Sequence, residues 1–137
     1  MQKITTHNGV LYIEDSKGTN VGAVVAGVSG LDGPVHLILG GDGKGQDFSP
    51  LRELVKSKCK TVALIGQDKS AIAKVLDGLT IPIQSFITLE EAVEFCVMHA
   101  QAGENVVLSP ACASWDMFDN YKHRAKVFVD SIYANIH

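Results

Sequence analysis

The sequence predicts an α/β domain three layers deep, in which a mainly parallel sheet carries helices on both faces and an antiparallel N-terminal hairpin forms one edge. Three observations lead there. Short apolar runs such as Val35 to Leu39, Thr61 to Ile65 and Val106 to Leu108 read as strands buried on both faces. Segments with apolar residues at helical spacing separate these runs. Asn8-Gly9, flanked by Lys3 to Thr6 and Val10 to Ile13, suits a tight hairpin turn because both residues tolerate positive φ. Such alternation demands right-handed crossovers, and ligands in that architecture sit beyond the carboxyl ends of the strands.

Each helix carries a start signal. Asn20 is placed to cap a helix from about Val21 to Gly30, which ends among Gly30, Asp32, Gly33 and Pro34. Ser49-Pro50 reads as a cap and first helical residue, with Leu51, Leu54 and Val55 inward. Asp68 is expected to cap a helix with the stripe Ile72, Val75, Leu76 and Leu79, and Ile81 to Phe86 follows as a strand. Thr88 and Glu91 form a capping box for a helix whose buried stripe includes Ala92, Val93 and Cys96. The closing helix is expected from about Met117 to Ala134, with Phe118, Tyr121, Ala125, Phe128, Val129 and Ile132 near one face.

A chain of 137 residues with 46% apolar and 20% charged content suits one domain with a real core. The net charge of -3, with Lys and Arg scattered, gives no broad basic face and sets nucleic acid aside. The apolar stretch Val21 to Leu31 is well short of the roughly 18 residues that span a bilayer. No membrane partner is expected, and a cytosolic location is. Cys59, Cys96 and Cys112 are odd in number and lack C-x-x-C spacing, which argues against disulfides and a zinc site. His7, His36, His99, His123 and His137 are dispersed and receive no metal role. The first strand begins close to Met1, a hint that the chain is a piece of something longer.

Polar loops follow three of the strands, at Asp15 to Asn20, Gly40 to Gly45 and Ser109 to Ser114. Familiar nucleotide motifs fail there. A phosphate loop ending at Gly43-Lys44 would need Gly at position 38 and Ser or Thr at position 45, where Ile38 and Gly45 stand. The glycines at 41, 43 and 45 do not give G-x-G-x-x-G either, so a Rossmann-like architecture here does not imply NAD. What remains is Lys17 and Lys44 as cations, Thr19 and Ser114 as hydroxyl donors, and backbone N–H groups near Asn20. Together these suit a small dianion, which the glycine-rich loop around Gly41, Asp42 and Gly43 would approach closely. Taken singly, the lysines read as solvated surface groups, Thr19, Asn20 and Ser114 as helix caps, Asp42 as a turn residue, and Trp115 and Tyr121 as packing. A stand-alone anion-binding or regulatory module would use the same loops without catalysis.

The loops taken together resemble a known family. H-N-G-V-x-x-I-x-D-S-K-x-T-N at His7 to Asn20, L-G-G-D-G-K at Leu39 to Lys44, D-F-S-P at Asp47 to Pro50 and L-S-P-A-C-A-S-x-D-x-F at Leu108 to Phe118 are similar to the C-terminal domain of the muramyl ligases, in its D-glutamate-adding branch. The resemblance implies an ATP- and Mg²⁺-dependent ligase of bacterial peptidoglycan synthesis. In such an enzyme the alanyl carboxylate of UDP-N-acetylmuramoyl-L-alanine becomes an acyl phosphate, and the amine of D-glutamate attacks it. It further implies that Lys17, Thr19, Lys44, Ser114, the backbone at Trp115, and Tyr121 hold D-glutamate. Asp15 would face the ATP ribose, and Lys17 would also lie near the transferred phosphate. The family's phosphate loop, Mg²⁺ ligands and UDP-sugar site belong to central and N-terminal domains outside this chain, so the chain alone is expected to be inactive. Trp115 stands where an aliphatic residue is usual and Tyr121 where Phe is usual. Gly18 replaces the usual Ala and is expected to loosen the first loop.

Overall fold

The hairpin forms as its dipeptide predicts. In the computed structural model, which describes residues 1–136, Asn8 and Gly9 take φ values of 50° and 80° and turn β1 (Gln2–His7) into β2 (Val10–Glu14). The chain continues through α1 (Val21–Ser29), β3 (Val35–Gly40), α2 (Pro50–Lys58), β4 (Cys59–Ile65), α3 (Lys69–Val75), β5 (Ile83–Ser85), α4 (Leu89–His99), β6 (Asn105–Leu108) and α5 (Tyr121–Asn135). One six-stranded sheet runs in the order β1-β2-β6-β3-β4-β5. Only the β1–β2 pair is antiparallel among its described pairings.

Alternation along the strands divides the core into two layers. Leu37, Leu39, Val62, Leu64 and Val107 pack with α1, α2 and α3, while Ile38, Ala63, Ile65, Val106 and Leu108 pack with α4 and α5. The three-layer expectation therefore holds. β6 inserts between β2 and β3 after the chain has crossed to β5, so three successive carboxyl ends at the centre of the sheet belong to β2, β6 and β3.

Several expected boundaries move, each for a local reason. Asp68 does not cap α3, since its carboxylate instead accepts the Gly43 amide at 2.7 Å. Ser49 is already helical and makes no side-chain cap; its amide and hydroxyl both bond the Asp47 carboxylate at 2.9 Å. The expected Ile81 to Phe86 strand shortens to Ile83–Ser85, and Leu79 lies beyond α3. α5 starts at Tyr121 rather than near Met117, because the Ser114 carbonyl draws the Met117 and Phe118 amides into a turn and Asn120 caps the helix through the His123 amide. The α4 capping box of Thr88 and Glu91 forms as expected.

At the opposite end of the sheet lies a buried polar cluster that hydrophobic periodicity does not reveal. His36 places Nε2 2.8 Å from Glu104 Oε1 and Nδ1 2.8 Å from Thr61 Oγ1. Lys60 Nζ bonds the other Glu104 oxygen, and the Gln101 amide donates to Oε1 at 2.9 Å. Burial keeps His36 below the usual imidazole range, although Glu104 opposes it. For Glu104, burial acts to raise the carboxyl, but the bonds from His36, Lys60 and Gln101 outweigh it and bring it from 4.5 to about 2.

Both shifts leave the folded state binding fewer protons than the unfolded chain in acid, so stability falls as the pH falls. The His36 contribution is whole above its ordinary value of 6.5 and is lost below it; that of Glu104 is whole above 4.5 and disappears toward 2. Glu104→Gln is expected to cost about 2–4 kcal/mol at neutral pH in urea unfolding, because it leaves buried donors poorly paired. It also flattens the acid loss between pH 4.5 and about 2. An acid slope equal to that of the parent would contradict this account.

Candidate functional site

The order of the strands brings together segments far apart in sequence. Residues 15–20 leave β2, residues 40–45 leave β3, and residues 109–114 leave β6 between them. Backbone bonds stitch the third loop to both neighbours. Asp15 N donates to Leu108 O at 2.7 Å and Ala111 N to Gly18 O at 2.8 Å, while Gly40 N donates to Pro110 O at 2.9 Å. Asp42 and Ala113 exchange two amide-to-carbonyl bonds, at 3.0 and 2.8 Å. Ser109 Oγ adds a 2.9 Å bond to Asp15 Oδ2.

Glycine permits this stitching at two positions in particular. A Cβ on Gly40, at φ +126°, would stand 1.9 Å from the Ile65 carbonyl oxygen, and one on Gly41, at φ +137°, would stand 2.4 Å from that of Ala113. What these glycines accommodate is neighbouring backbone. Gly18 likewise does more than add freedom. A Cβ there would lie 2.8 Å from Ser109 Oγ and 2.9 Å from Asp15 Oδ2, so the loop expected to loosen is closely packed instead.

Two buried side chains complete the frame. Arg124, with 0% exposure, donates from Nη1 to the Cys112 carbonyl and from Nη2 to the Ser16 carbonyl, both at 2.9 Å. Burial lowers its guanidinium to about 10, which leaves it charged at neutral pH. Gln46 accepts the Val21 amide at 2.9 Å and donates to the Ala111 carbonyl at 2.6 Å. With Asn20 Oδ1 taking the Ala23 amide at 2.9 Å, two of the helix-start amides expected to face an anion are already bonded within the protein. Burial pushes the Cys112 thiol up to about 12, and its carbonyl accepts from Arg124.

The expected ligand residues divide between adjoining hollows. Asp15, Lys17 and Tyr121, with Lys122, line a cavity of about 400 Å³. Thr19, Asn20, Asp42, Gly43 and Lys44, with Gln46, line a second of about 250 Å³. The first loop therefore serves both, through its two halves. Ser114 is buried at the end of the third loop, whereas the adjacent Trp115 is 65% exposed, with its ring centroid 5.9 Å from Lys44 Nζ. Lys17 and Lys44 are themselves exposed. Among the described residues no three His, Cys, Asp or Glu side chains converge as a metal site.

A family model described as the Mur ligase, glutamate ligase domain matches residues 1–112. The chain belongs to that family. The UDP-N-acetylmuramoylalanine--D-glutamate ligase of Dechloromonas aromatica (strain RCB) is 48% identical over 132 residues, which cover 96% of this chain and 29% of that protein. The protein of the same name from Aromatoleum aromaticum (strain DSM 19018 / LMG 30748 / EbN1) is 54% identical over 122 residues, 89% of this chain and 26% of its own length. This Mur ligase domain thus spans under a third of the length of these relatives. Among solved structures, a UDP-N-acetylmuramoyl-L-alanyl-D-glutamate--2,6-diaminopimelate ligase superposes with a TM-score of 0.65 at 18% identity, covering 100% of this chain and 32% of that one. A domain from Haemophilus ducreyi 35000HP gives the same TM-score at 12% identity, covering 96% of this chain and 98% of its own. At these identities the likeness establishes the shared fold.

Reading the sequence missed Arg124 and Gln46, the residues that fix the loops of this Mur ligase domain. A cation at a core-facing position of α5 was the available signal for Arg124. Arg124→Lys cannot reach both carbonyls in a fork. It is expected to cost about 2–4 kcal/mol, read by urea unfolding, and to speed hydrogen exchange at the Ala111 and Ala113 amides. Unchanged exchange at both amides would refute the clamp.

Proposed function

We propose that this chain is the C-terminal, amino-acid-binding domain of a multidomain ATP-dependent ligase that adds D-glutamate to UDP-N-acetylmuramoyl-L-alanine in the bacterial cytoplasm. What carries the reading is a conjunction. Loops bearing Lys17, Thr19, Lys44 and Ser114 gather at one sheet edge, in a chain about half identical to proteins named as D-glutamate ligases. Membership of the family supports the reaction class. The relatives' greater length supports preceding domains that hold the UDP-sugar, the nucleotide and Mg²⁺.

In this reading ATP phosphorylates the alanyl carboxylate, giving an acyl phosphate and ADP. The D-glutamate amine then attacks the acyl carbon, the C–N bond forms, phosphate leaves, and the amine gives up a proton. The domain's part is to hold a doubly negative amine in attacking position, since fixing two reactants removes much of the entropic barrier. Lys44 and Lys17 supply charge-assisted donors to its carboxylates, Thr19 and Ser114 add hydroxyls, and Tyr121 and the Trp115 backbone border it. Lys17 also offsets charge on the phosphate as it departs. Asp15, already oriented by Ser109 Oγ at 2.9 Å, accepts from the ATP ribose.

The test joins this chain to the preceding portion of the Dechloromonas aromatica relative. The chimera is expected to release phosphate only when ATP, UDP-N-acetylmuramoyl-L-alanine and D-glutamate are all present. Lys44→Ala then raises the KM for D-glutamate by roughly tenfold or more, the value of one charge-assisted bond, and Lys17→Ala lowers kcat. A chimera indifferent to D-glutamate, or kinetics untouched by both substitutions, would overturn the assignment.

A further inference from the structure

The Lys44 side chain has an unusual neighbour. Its ammonium stands 5.9 Å from the centroid of Trp115, the only tryptophan in the chain, and among the described residues no carboxylate forms an ion pair with it. The two residues are not neighbours by accident of rotamer alone. Lys44 follows Asp42 by two positions and Trp115 follows Ala113 by two, and Asp42 and Ala113 are the pair joined by reciprocal backbone bonds at 3.0 and 2.8 Å. Lys44 is further held at φ +51°, with its amide donating to Asp42 Oδ1 at 3.0 Å. Both segments are therefore anchored beside the cavity that Lys44 and Ala113 line with Thr19 and Gly43.

We propose that Trp115 is a positioning residue whose indole face holds the Lys44 ammonium over that cavity, ready for a carboxylate of the incoming ligand. The proposal rests on the D-glutamate reading above. An exposed lysine on a flexible stem samples many rotamers, and ordering it on binding weakens affinity. A ring face attracts the cation through its quadrupole without using a carboxylate or lone-pair acceptor, so the ammonium keeps its charge and its N–H donors for the ligand. An aliphatic residue at this position could not orient the charge. The indole of Trp115 is 65% exposed, so its contribution to the folded core is small.

The contact itself is tested in the 137-residue chain by NMR of the lysine ε-methylene groups. Ring current is expected to move the Lys44 ε protons upfield in the parent and in Trp115→Phe, and to leave them at the free-lysine position in Trp115→Leu. Coincident Lys44 shifts in the parent and Trp115→Leu would overturn the proposal. Its consequence is tested in the joined ligase. Trp115→Leu raises the KM for D-glutamate roughly two- to fivefold, the scale of an exposed cation–π contact, with kcat unchanged, and Trp115→Phe restores most of the loss. Equal KM values in all three proteins, or a loss in Trp115→Leu that Phe does not rescue, would also overturn it. If instead Lys44→Ala leaves the KM for D-glutamate unchanged while the ring-current shift is present, the ligand assignment fails and the Lys44–Trp115 contact stands.

Discussion

The site edge depends on a single buried cation. Arg124 reaches from α5 to the carbonyls of Ser16 and Cys112, at 2.9 Å each, and so ties the loop after β2 and the loop after β6 to the same helix. A guanidinium without solvent contact carries a desolvation cost of several kcal/mol, visible here in its lowered pKa. That cost is offset only if rigid acceptors meet its fork. Backbone carbonyls are well suited, because they cannot swing away as a carboxylate side chain can. With Ser16 and Cys112 fixed, Lys17 and Ser114 project from anchored backbone.

The remaining loop is held by a different device. Among the described residues no Lys, Arg or His side chain hydrogen-bonds to residues 40–45; reciprocal bonds between Asp42 and Ala113 tie them to the third loop, and the Asp68 carboxylate takes the Gly43 amide. Gln46 then links the third loop to the start of α1. The third loop is thus the hub, and its place follows from topology. Because β6 enters the sheet last, between β2 and β3, the final crossover puts its carboxyl end where both other loops can hydrogen-bond to it. An open sheet with β6 at an edge could have joined it to one loop only.

This division marks what was legible in the sequence. Local rules found local structure: Asn8-Gly9 made the hairpin, Thr88 and Glu91 the capping box, and glycine-bounded apolar runs the inner strands. Those rules also located the loops, since in this architecture they must lie at carboxyl ends. They failed where a side chain acted at a distance. Asp68 has the composition of a cap, yet a loop 25 positions away claims its carboxylate. His36 and Glu104 meet across 68 positions, a pairing fixed by register between strands and invisible to periodicity. Arg124 failed for a related reason, since a charge on an amphipathic helix is read outward unless its acceptors are known.

The contrast between a fixed frame and exposed charges has a mechanistic consequence. Lys17 and Lys44 lie open to water, where a unit charge pair 4 Å apart is worth about 1 kcal/mol, against about 4 kcal/mol at the effective dielectric of a partly covered surface. On the D-glutamate reading proposed above, the frame therefore orients an anion before it grips one tightly. Covering the edge would strengthen every such contact together without moving a backbone atom of these loops. In the ligase proposed above, where this domain spans under a third of its relatives' length, the covering surface would lie in the rest of the protein, and affinity for the nucleophile would be coupled to closure. On that proposal, weak binding in the open state keeps the amine exchangeable, and tight positioning arises only when the electrophile is enclosed with it.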